Sequence, residues 1–318
     1  MKSFKTQIFA ISIILIFIVI LIFIFILTSC IAFDGETEDG AGKLKIVATL
    51  FPQYDFAKQI AGDKANVKLL LPPGVESHSF DPKPGDIVKI YNADLFIYTG
   101  ENMEPWAETV LKGAANENLI IVDCSKNIEL FLEQDDDDHG HEHHADPHIW
   151  LDPVRAVQMV ENILGALCEK DPENAGYYRQ NADDYIKLLQ KFDGDMFDLV
   201  NHAKRKVIVF GGRFSYIYFL THFGLDYVTA YDSCASTEEP SVSKVLSVVK
   251  FINENNIPCI YHEELSAHQI AKAIAKEAGR KTYLFSTAHN VTKSEFDGGI
   301  TFLDIMYANL ENLKIGLN

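Results

Sequence analysis

The sequence predicts an α/β protein of two lobes, each with a mainly parallel sheet flanked by helices, joined by one long backbone helix. Short apolar runs alternate with helical stretches in two series, which lie on either side of a segment without strand signal. Alternation of this kind is typical of parallel sheets, and two series indicate two sheets. A length of 318 residues fits about two domains of ordinary size.

The first series is predicted to form an N-terminal lobe over residues 44–170. Its apolar runs are short, continuous and bounded by turn residues, which is typical of buried parallel strands. Between them, apolar positions recur every three or four residues, as in amphipathic helices. The predicted strands cover residues 44–50, 67–71, 95–98 and 119–122, and the predicted helices cover 53–61, 84–92 and 105–114.

The segment from Pro172 to Ala203 is predicted to be a single long helix, within a linking segment over residues 171–204. About thirty residues at 1.5 Å each give a length on the order of 45 Å. One rigid connector of this length would limit hinge motion between the lobes. Apolar side chains fall at spacings of three and four, at Tyr178, Ala182, Tyr185, Leu188, Leu189 and Phe192.

The second series is predicted to form a C-terminal lobe over residues 205–318. Ligands of open α/β sheets bind at the carboxyl ends of the strands, so the cleft between the two lobes is the expected binding site. The predicted strands cover 207–210, 227–230, 259–261 and 283–285, and the predicted helices lie around 216–223, 241–255, 267–278 and 300–313.

Residues 1–29 are predicted to be a signal peptide. Two lysines precede a run of twenty residues that is apolar apart from one serine, which is typical of an export signal but is also long enough to span a bilayer. The run ends in Leu27-Thr28-Ser29-Cys30, which resembles the lipobox of bacterial lipoproteins. We therefore expect lipidation of Cys30 and removal of the leader, with an uncleaved membrane anchor as the alternative.

Residues 30–43 are rich in glycine and acidic side chains and are predicted to tether the folded part to the lipid. With either anchor, the folded part lies outside the cytoplasm, at the outer face of the bacterial cell membrane. Beyond Cys30, the cysteines are Cys124, Cys168, Cys234 and Cys259. Four cysteines allow three disulfide pairings, among which the sequence does not choose, and buried free thiols are the alternative.

The charge balance excludes nucleic acid as a partner. The chain has 28 Lys+Arg against 45 Asp+Glu and a formal net charge of -17, and removal of the leader with its two lysines takes this to -19. A surface this acidic repels a polyanion. Hydrophobic residues make up 47% of the chain, which excludes a disordered protein.

A loop over residues 135–147 combines a run of aspartates with clustered histidines. Its composition cannot form a packed core, so we predict an exposed loop. Neutral imidazoles beside carboxylates bind borderline metals such as Zn²⁺, and a flexible segment holds them loosely. The loop is therefore predicted to collect metal through His139, His141, His143 and His144, with a solvated acidic loop as the alternative.

Two further histidines lie in rigid surroundings. His148 is part of Asp146-Pro147-His148-Ile149-Trp150, and His78 follows a predicted strand within a segment bounded by prolines. A lone histidine is more often structural than a ligand. Both of these, however, lie in loops that follow strands of the predicted sheet, which favours a role as ligands.

The segment from Lys45 to Leu313 resembles the zinc- and manganese-binding receptors of bacterial ABC importers (the ZnuA/TroA type). The histidine-rich loop occupies the place where zinc-specific members of this family carry one. The matches follow in order: Val47-Ala48-Thr49-Leu50-Phe51-Pro52, the His78 loop, Ala93-Asp94-Leu95-Phe96-Ile97-Tyr98, Met103-Glu104-Pro105-Trp106, the His148 motif, Asp171-Pro172, Glu239-Pro240-Ser241 and Tyr307-Ala308-Asn309-Leu310.

The resemblance implies a metal ion between the lobes, with His78 and His148 as ligands. The C-terminal ligands depart from the family pattern. Arg213 stands where the family places His or Glu, and a guanidinium cannot ligate a metal. The late strand that precedes the acidic ligand of the family has no acid here, but His289 follows it.

We therefore predict His78, His148 and His289 as the protein ligands. Glu239 is a candidate fourth ligand, although in the family this glutamate helps to hold the lobes together, and Arg213 is a candidate charge partner of a cleft acid. The other candidates for the fourth position are a water, a chloride, His222, Asp232, Glu263 and Glu264.

Three imidazoles favour zinc, with manganese as the alternative because Mn²⁺ prefers more oxygen ligands. The implied function is capture of zinc in the interlobe cleft and delivery to an ABC permease with its cytoplasmic ATPase, by a monomeric receptor. Affinity for zinc is expected to fall as the pH drops through about 6.5 and imidazoles protonate.

The chain has neither a His-Glu-x-x-His motif nor a nucleophile elbow, so a secreted zinc hydrolase is a distant alternative and no enzyme is predicted. Adhesion is sometimes assigned to this family, but no motif here specifies a host ligand.

Overall fold

A computed structural model describes residues 42–114, 116–132, 145–231, 239–265 and 268–318. Its first sheet has four parallel strands in the order β2-β1-β3-β4. Apolar side chains are buried along β1 and β3, because the sheet is covered on both faces. The strands are β1 (Leu44–Ala48), β2 (Ala65–Leu69), β3 (Leu95–Tyr98) and β4 (Ile120–Asp123).

Four helices accompany this sheet. The fourth begins at Asp152, whose side chain accepts a hydrogen bond of 2.8 Å from the backbone N–H of Val154 and so caps the first turn. A short 3₁₀ turn, Ile149–Leu151, precedes this cap and is fully buried. The helices are α1 (Phe51–Ala61), α2 (Pro84–Tyr91), α3 (Trp106–Lys112) and α4 (Pro153–Lys170).

One long helix, α5 (Ala175–Asn201), runs for 27 residues between the two sheets in the chain. At 1.5 Å per residue its length is about 40 Å. Asn181 donates a hydrogen bond of 2.9 Å to the Ile60 carbonyl at the end of α1, and Asp195 accepts one of 2.9 Å from Tyr307 in the last helix. The helix is therefore bonded at one end to the first lobe and at the other to the second.

The second sheet repeats the arrangement of the first, with four parallel strands in the order β6-β5-β7-β8. The two sheets and the long helix confirm the predicted fold class. The strands are β5 (Val207–Phe210), β6 (Asp226–Thr229), β7 (Cys259–His262) and β8 (Lys281–Leu284), and the helices are α6 (Ile217–Phe223), α7 (Val242–Glu254), α8 (Gln269–Ala278), α9 (Lys293–Asp297) and α10 (Phe302–Leu317).

The largest apolar core joins both lobes. Phe56 and Trp150 from the first lobe, Phe192 from α5, and Phe210 and Phe285 from the second all belong to one buried cluster. Burial of aromatic side chains is a major source of folding free energy, so the two lobes stabilise each other along the long helix.

Three of the cysteines, Cys124, Cys168 and Cys259, are free thiols, and Cys234 lies outside the described residues. In the portion of the chain with described coordinates, no helix combines the length and the apolarity that a bilayer crossing requires. The predicted signal peptide and Cys30 also lie outside the described residues, as does the histidine-rich segment 133–144. Leu132 and Ala145, which flank that segment, pair as an antiparallel bridge.

Candidate metal centre

The structure brings three of the predicted ligands together. His78, His148 and His289 each offer one ring nitrogen, and these nitrogens all lie within 4.8 Å of one another. The ring centroids are 5.6 Å apart for His78 and His148, 5.0 Å for His78 and His289, and 4.7 Å for His148 and His289. Three ring nitrogens gathered this closely can converge on a single ion, and zinc binds imidazole nitrogen at about 2.0–2.1 Å.

Three separate loops supply these side chains. His78 lies in the loop between β2 and α2, His148 directly precedes the 3₁₀ turn before α4, and His289 follows β8. His78 and His289 thus follow the carboxyl ends of strands in the two different sheets, as expected for open α/β sheets. The cluster therefore depends on the lobes being held together.

The orientation of His148 is fixed by Asp146. The Nδ1 atom of His148 lies 2.8 Å from Oδ1 of Asp146, which also accepts a hydrogen bond of 2.9 Å from the His148 backbone N–H. A carboxylate at Nδ1 requires the proton there, which leaves the Nε2 lone pair for a metal. The ring of Trp150 packs 5.4 Å from that of His148, so the imidazole cannot turn freely.

His289 is oriented through a hydroxyl. Its Nδ1 atom hydrogen-bonds Oγ1 of Thr287, and this hydroxyl donates a hydrogen bond of 2.6 Å to Oε1 of Glu264. Because the hydroxyl hydrogen is used on Glu264, Thr287 accepts the proton of His289 Nδ1. As at His148, the proton lies on Nδ1 and Nε2 is unprotonated. Here, however, the carboxylate acts through the Thr287 hydroxyl and not directly.

The loop that carries His78 is shaped by a glutamate. The Glu76 carboxylate accepts hydrogen bonds from the backbone N–H groups of His78, at 3.0 Å, and Ser79, at 2.9 Å. These bonds hold the turn in which His78 lies, and the neighbouring Ser77 is buried. Glu76 therefore positions the backbone of His78 without touching its ring.

His289 is kept uncharged by its surroundings. Burial lowers the pKa of His289 well below its usual value of 6.5, and the neighbouring imidazoles of His148 and His78 lower it further. His289 is therefore neutral at physiological pH. The Nε2 atoms of His78 and His289 are buried and accept no hydrogen bond from the described residues. Buried acceptors of this kind are costly unless a ligand satisfies them, so the donor set fits a divalent cation.

A small cavity of about 70 Å³ adjoins the imidazoles. Besides His78 and His289, its lining includes four charged side chains, which are Glu76, Arg213, Glu263 and Glu264. Burial raises the pKa of Glu264, although the Thr287 hydroxyl and backbone N–H both donate to its carboxylate. The cavity thus gives the cluster one open side, which is lined by acidic and basic side chains.

Hydrogen bonds join the loop of His289 to the loop of His78. Asn290 donates hydrogen bonds to the carbonyls of Pro72, at 2.7 Å, and Val75, at 2.9 Å, both in the loop of His78. In the same region Gly74 donates a backbone hydrogen bond of 2.8 Å to Val291. No sequence motif marks Asn290, whose one local signal is its position next to His289.

The other predicted site residues lie elsewhere. Glu239 is exposed before α7 and is not part of the histidine cluster, so its role as a ligand stays a prediction. His222 lies with Nε2 at 2.6 Å from Oδ1 of Asp193, away from the cluster. Asp232 falls outside the described residues, as do the four loop histidines His139, His141, His143 and His144.

Two parallel-sheet lobes, a long helix and three inward-facing imidazoles define a metal-binding protein of the two-lobed receptor class. Comparison with known families gives the same result. Residues 46–316 match the ZnuA family, described as the periplasmic component A of the zinc-uptake complex. The chain belongs to this family.

Known relatives share much of the sequence. The chain is 34% identical over 291 residues to the high-affinity zinc uptake system protein ZnuA of Bacillus subtilis, covering 89% of this chain and 90% of the relative. It is 34% identical over 280 residues to the zinc-binding lipoprotein AdcA of Streptococcus pneumoniae, covering 86% of this chain but only 56% of AdcA. The crystal structure of the Zn(II)-bound ZnuA-like domain of that AdcA superposes with a TM-score of 0.74 at 32% identity, covering 87% of this chain and 99% of the domain.

Proposed function

We propose that this protein is an extracytoplasmic receptor that captures zinc between its lobes and delivers it to an ABC permease driven by a cytoplasmic ATPase. The observation that carries the proposal is the convergence of His78, His148 and His289 from loops of both lobes. The family is named for zinc uptake, and the relatives from Bacillus subtilis and Streptococcus pneumoniae are a zinc uptake protein and a zinc-binding lipoprotein.

The chemistry of the three donors supports zinc over manganese. Three neutral imidazoles suit a borderline metal, whereas Mn²⁺ prefers a set with more oxygen atoms. Asp146 and the pair of Thr287 and Glu264 hold two of the imidazoles with Nε2 available, as is usual for histidines that bind metals. We expect a single tight zinc ion with these three histidines as its protein ligands.

Anchoring and metal collection complete the proposal. We propose that residues 1–29 are removed, that Cys30 carries the lipid and that residues 30–43 tether a monomeric receptor to the outer face of the membrane. The proposed loop of His139, His141, His143 and His144 raises the local zinc concentration near the tight centre. Replacement of Cys30 by serine should abolish incorporation of labelled fatty acid into the protein without changing its affinity for zinc.

The central experiment measures zinc stoichiometry and affinity for single alanine variants of His78, His148 and His289. Competition against a chelator of known affinity is suited to this, with Mn²⁺ titrated in parallel and with copper excluded because it outcompetes zinc in vitro. Each variant should bind zinc at least 100-fold more weakly, since one of three ligands is lost. The matched control is His202→Ala, because His202 is exposed and bonds only within the end of α5.

A loss of affinity in the His202→Ala control would show that the effect is not specific to the cluster. If His289→Ala binds zinc as tightly as the parent protein, the proposed ligand of the second lobe is wrong. A deletion of residues 135–144 distinguishes zinc ions held weakly by the histidine-rich loop from the ion bound at the tight centre. It should remove weakly held ions and leave one tight ion per molecule.

A further inference from the structure

Arg213 is an unusual neighbour for a cation. Its side chain lines the same cavity of about 70 Å³ as His78 and His289. Within the described ranges, the guanidinium of Arg213 donates no hydrogen bond to protein and forms no ion pair. A guanidinium is always charged and has donors only, so it needs an anionic or polar acceptor in its surroundings.

Two of the three carboxylates that line the cavity, those of Glu264 and Glu76, accept hydrogen bonds from other groups. Glu264 accepts hydrogen bonds from the Thr287 hydroxyl and backbone N–H, at 2.6 Å and 2.7 Å. Glu76 accepts the backbone N–H groups of His78 and Ser79. Glu263 lies against the backbone of Gly212, where a side chain on that residue would collide with its carboxylate.

The coordination of zinc leaves room for one more ligand. Zinc is almost always four-coordinate, and three protein ligands leave its fourth position open. The cavity next to the imidazoles exceeds the roughly 10–15 Å³ that one water-sized ligand requires. Three imidazoles do not compensate the ionic charge of Zn²⁺, and the guanidinium of Arg213 lines the same cavity together with the carboxylates of Glu76, Glu263 and Glu264.

We propose that Arg213 binds a small inorganic anion, such as chloride, that serves as the fourth ligand of the captured zinc. The proposal rests on the proposed function, because the anion binds in the zinc centre. Arg213 takes the place of a ligating residue by supplying the charge that retains an external ligand. The anion and the zinc stabilise each other, so each raises the affinity for the other by the same factor.

The test uses the full-length chain in detergent solution, loaded with Co²⁺ in place of zinc. Co²⁺ reports its ligands through its visible absorption spectrum. Chloride, bromide and thiocyanate are titrated from a perchlorate buffer, which supplies a weakly coordinating anion. Each titration should change the spectrum in the parent protein, with saturation at one anion per metal.

The matched variants are Arg213→Gln and Arg213→Lys. Loss of one charge-assisted hydrogen-bonding partner should weaken anion binding about 10- to 100-fold in Arg213→Gln. The lysine variant retains the charge and should lose less. In the same series, zinc affinity should rise with chloride concentration in the parent protein but not in Arg213→Gln.

Three results would overturn the proposal. A parent spectrum that does not respond to any of the anions excludes an exchangeable anionic ligand. An unchanged anion affinity in Arg213→Gln removes the role of Arg213. A spectrum that responds only to pH assigns the fourth position to hydroxide.

Glu263→Gln and Glu264→Gln test the internal alternative. Because Glu264 also orients His289 through Thr287, Glu264→Gln should lose zinc affinity in any case and serves as the reference. If Glu263→Gln loses zinc affinity while the parent spectrum ignores added anions, a carboxylate is the fourth ligand and the anion proposal fails. The proposed zinc function survives that result. Failure of the parent protein to bind either Co²⁺ or Zn²⁺ would instead refute the proposed function, so the two failures are distinguishable.

Discussion

The indole N–H of Trp150 donates a hydrogen bond of 2.8 Å to the backbone carbonyl of Thr287, across the boundary between the two lobes. Trp150 is completely buried, and its ring packs 5.4 Å from that of His148 and 5.2 Å from that of His289. One side chain therefore fixes the spacing of two imidazoles that come from different lobes.

We predict that Trp150→Phe destabilises the metal-free protein by about 1–3 kcal/mol, because the Thr287 carbonyl loses its buried donor. Zinc affinity should fall as well, since the spacing of His148 and His289 is no longer fixed. Urea unfolding and zinc competition measure the two effects. Trp106→Phe is the control, because Trp106 packs against Phe80 and Phe96 without bridging the lobes. Equal losses of zinc affinity in both variants would contradict the prediction.

Thr287→Val should reduce zinc affinity about 10- to 100-fold, the range usual for loss of a group that orients a metal-binding histidine. Valine keeps the shape of threonine but removes the hydroxyl that links His289 to Glu264. Chelator competition gives the affinity. Thr287→Ser restores the hydroxyl and should recover most of it, whereas equal affinities in the valine and serine variants would show that the hydroxyl is not needed.

Asn290→Ala should speed zinc release about tenfold, because the loops of His78 and His289 lose two of the hydrogen bonds that join them. Stopped-flow transfer of zinc to a chromophoric chelator measures this rate. Asn255→Ala removes a comparable side-chain bond, to the Phe251 carbonyl at the exposed end of α7, and should leave the rate unchanged. A similar acceleration in both variants would refute the role of Asn290.

Glu104 should make the protein less stable as the pH rises from about 4.5 to about 7. Burial raises the pKa of this carboxyl from 4.5 to about 7, despite hydrogen bonds from Thr49, Thr99 and Gly100. Over that interval the unfolded chain releases a proton that the folded protein keeps, so ionisation favours unfolding. The full effect is roughly 3 kcal/mol, and Glu104→Gln should remove it. Urea unfolding from pH 4.5 to 8 tests this.

The titration of His289 changes the stability of the folded protein with pH in the opposite direction. Its lowered pKa means that the unfolded chain takes up a proton as the pH falls below about 6.5, while the folded protein does not. This contribution to stability is therefore present at neutral pH and is lost on acidification. Because the two effects partly cancel in the parent, the prediction for Glu104 concerns the difference between the parent and Glu104→Gln profiles. A pH-independent difference would contradict it.

The fold was accessible from the sequence because buried parallel strands are continuous apolar runs. Strands β3 and β5 begin and end at the predicted residues. Helix α4 was missed, although Ala156, Met159, Val160 and Ile163 recur at helical spacing and are all buried.

The candidate site was only partly accessible for a different physical reason. Each histidine could be selected from its own local segment, since a loop after a strand is a local feature. The roles of Asn290 and Trp150 depend on partners that are 218 and 137 positions away in the chain. No local pattern encodes such a contact, so these residues required the folded structure.

The long helix α5 also bears on how binding energy is used. Because both lobes pack on one helix and share one apolar core, the entropy of bringing the three histidines together is lost during folding rather than when zinc arrives. Little of the metal's binding free energy is then spent on ordering the protein, which favours high affinity from few ligands. Because the ligands are held in place in this way, spontaneous release of zinc should be slow. We expect the transporter to supply the free energy that separates the ligand loops.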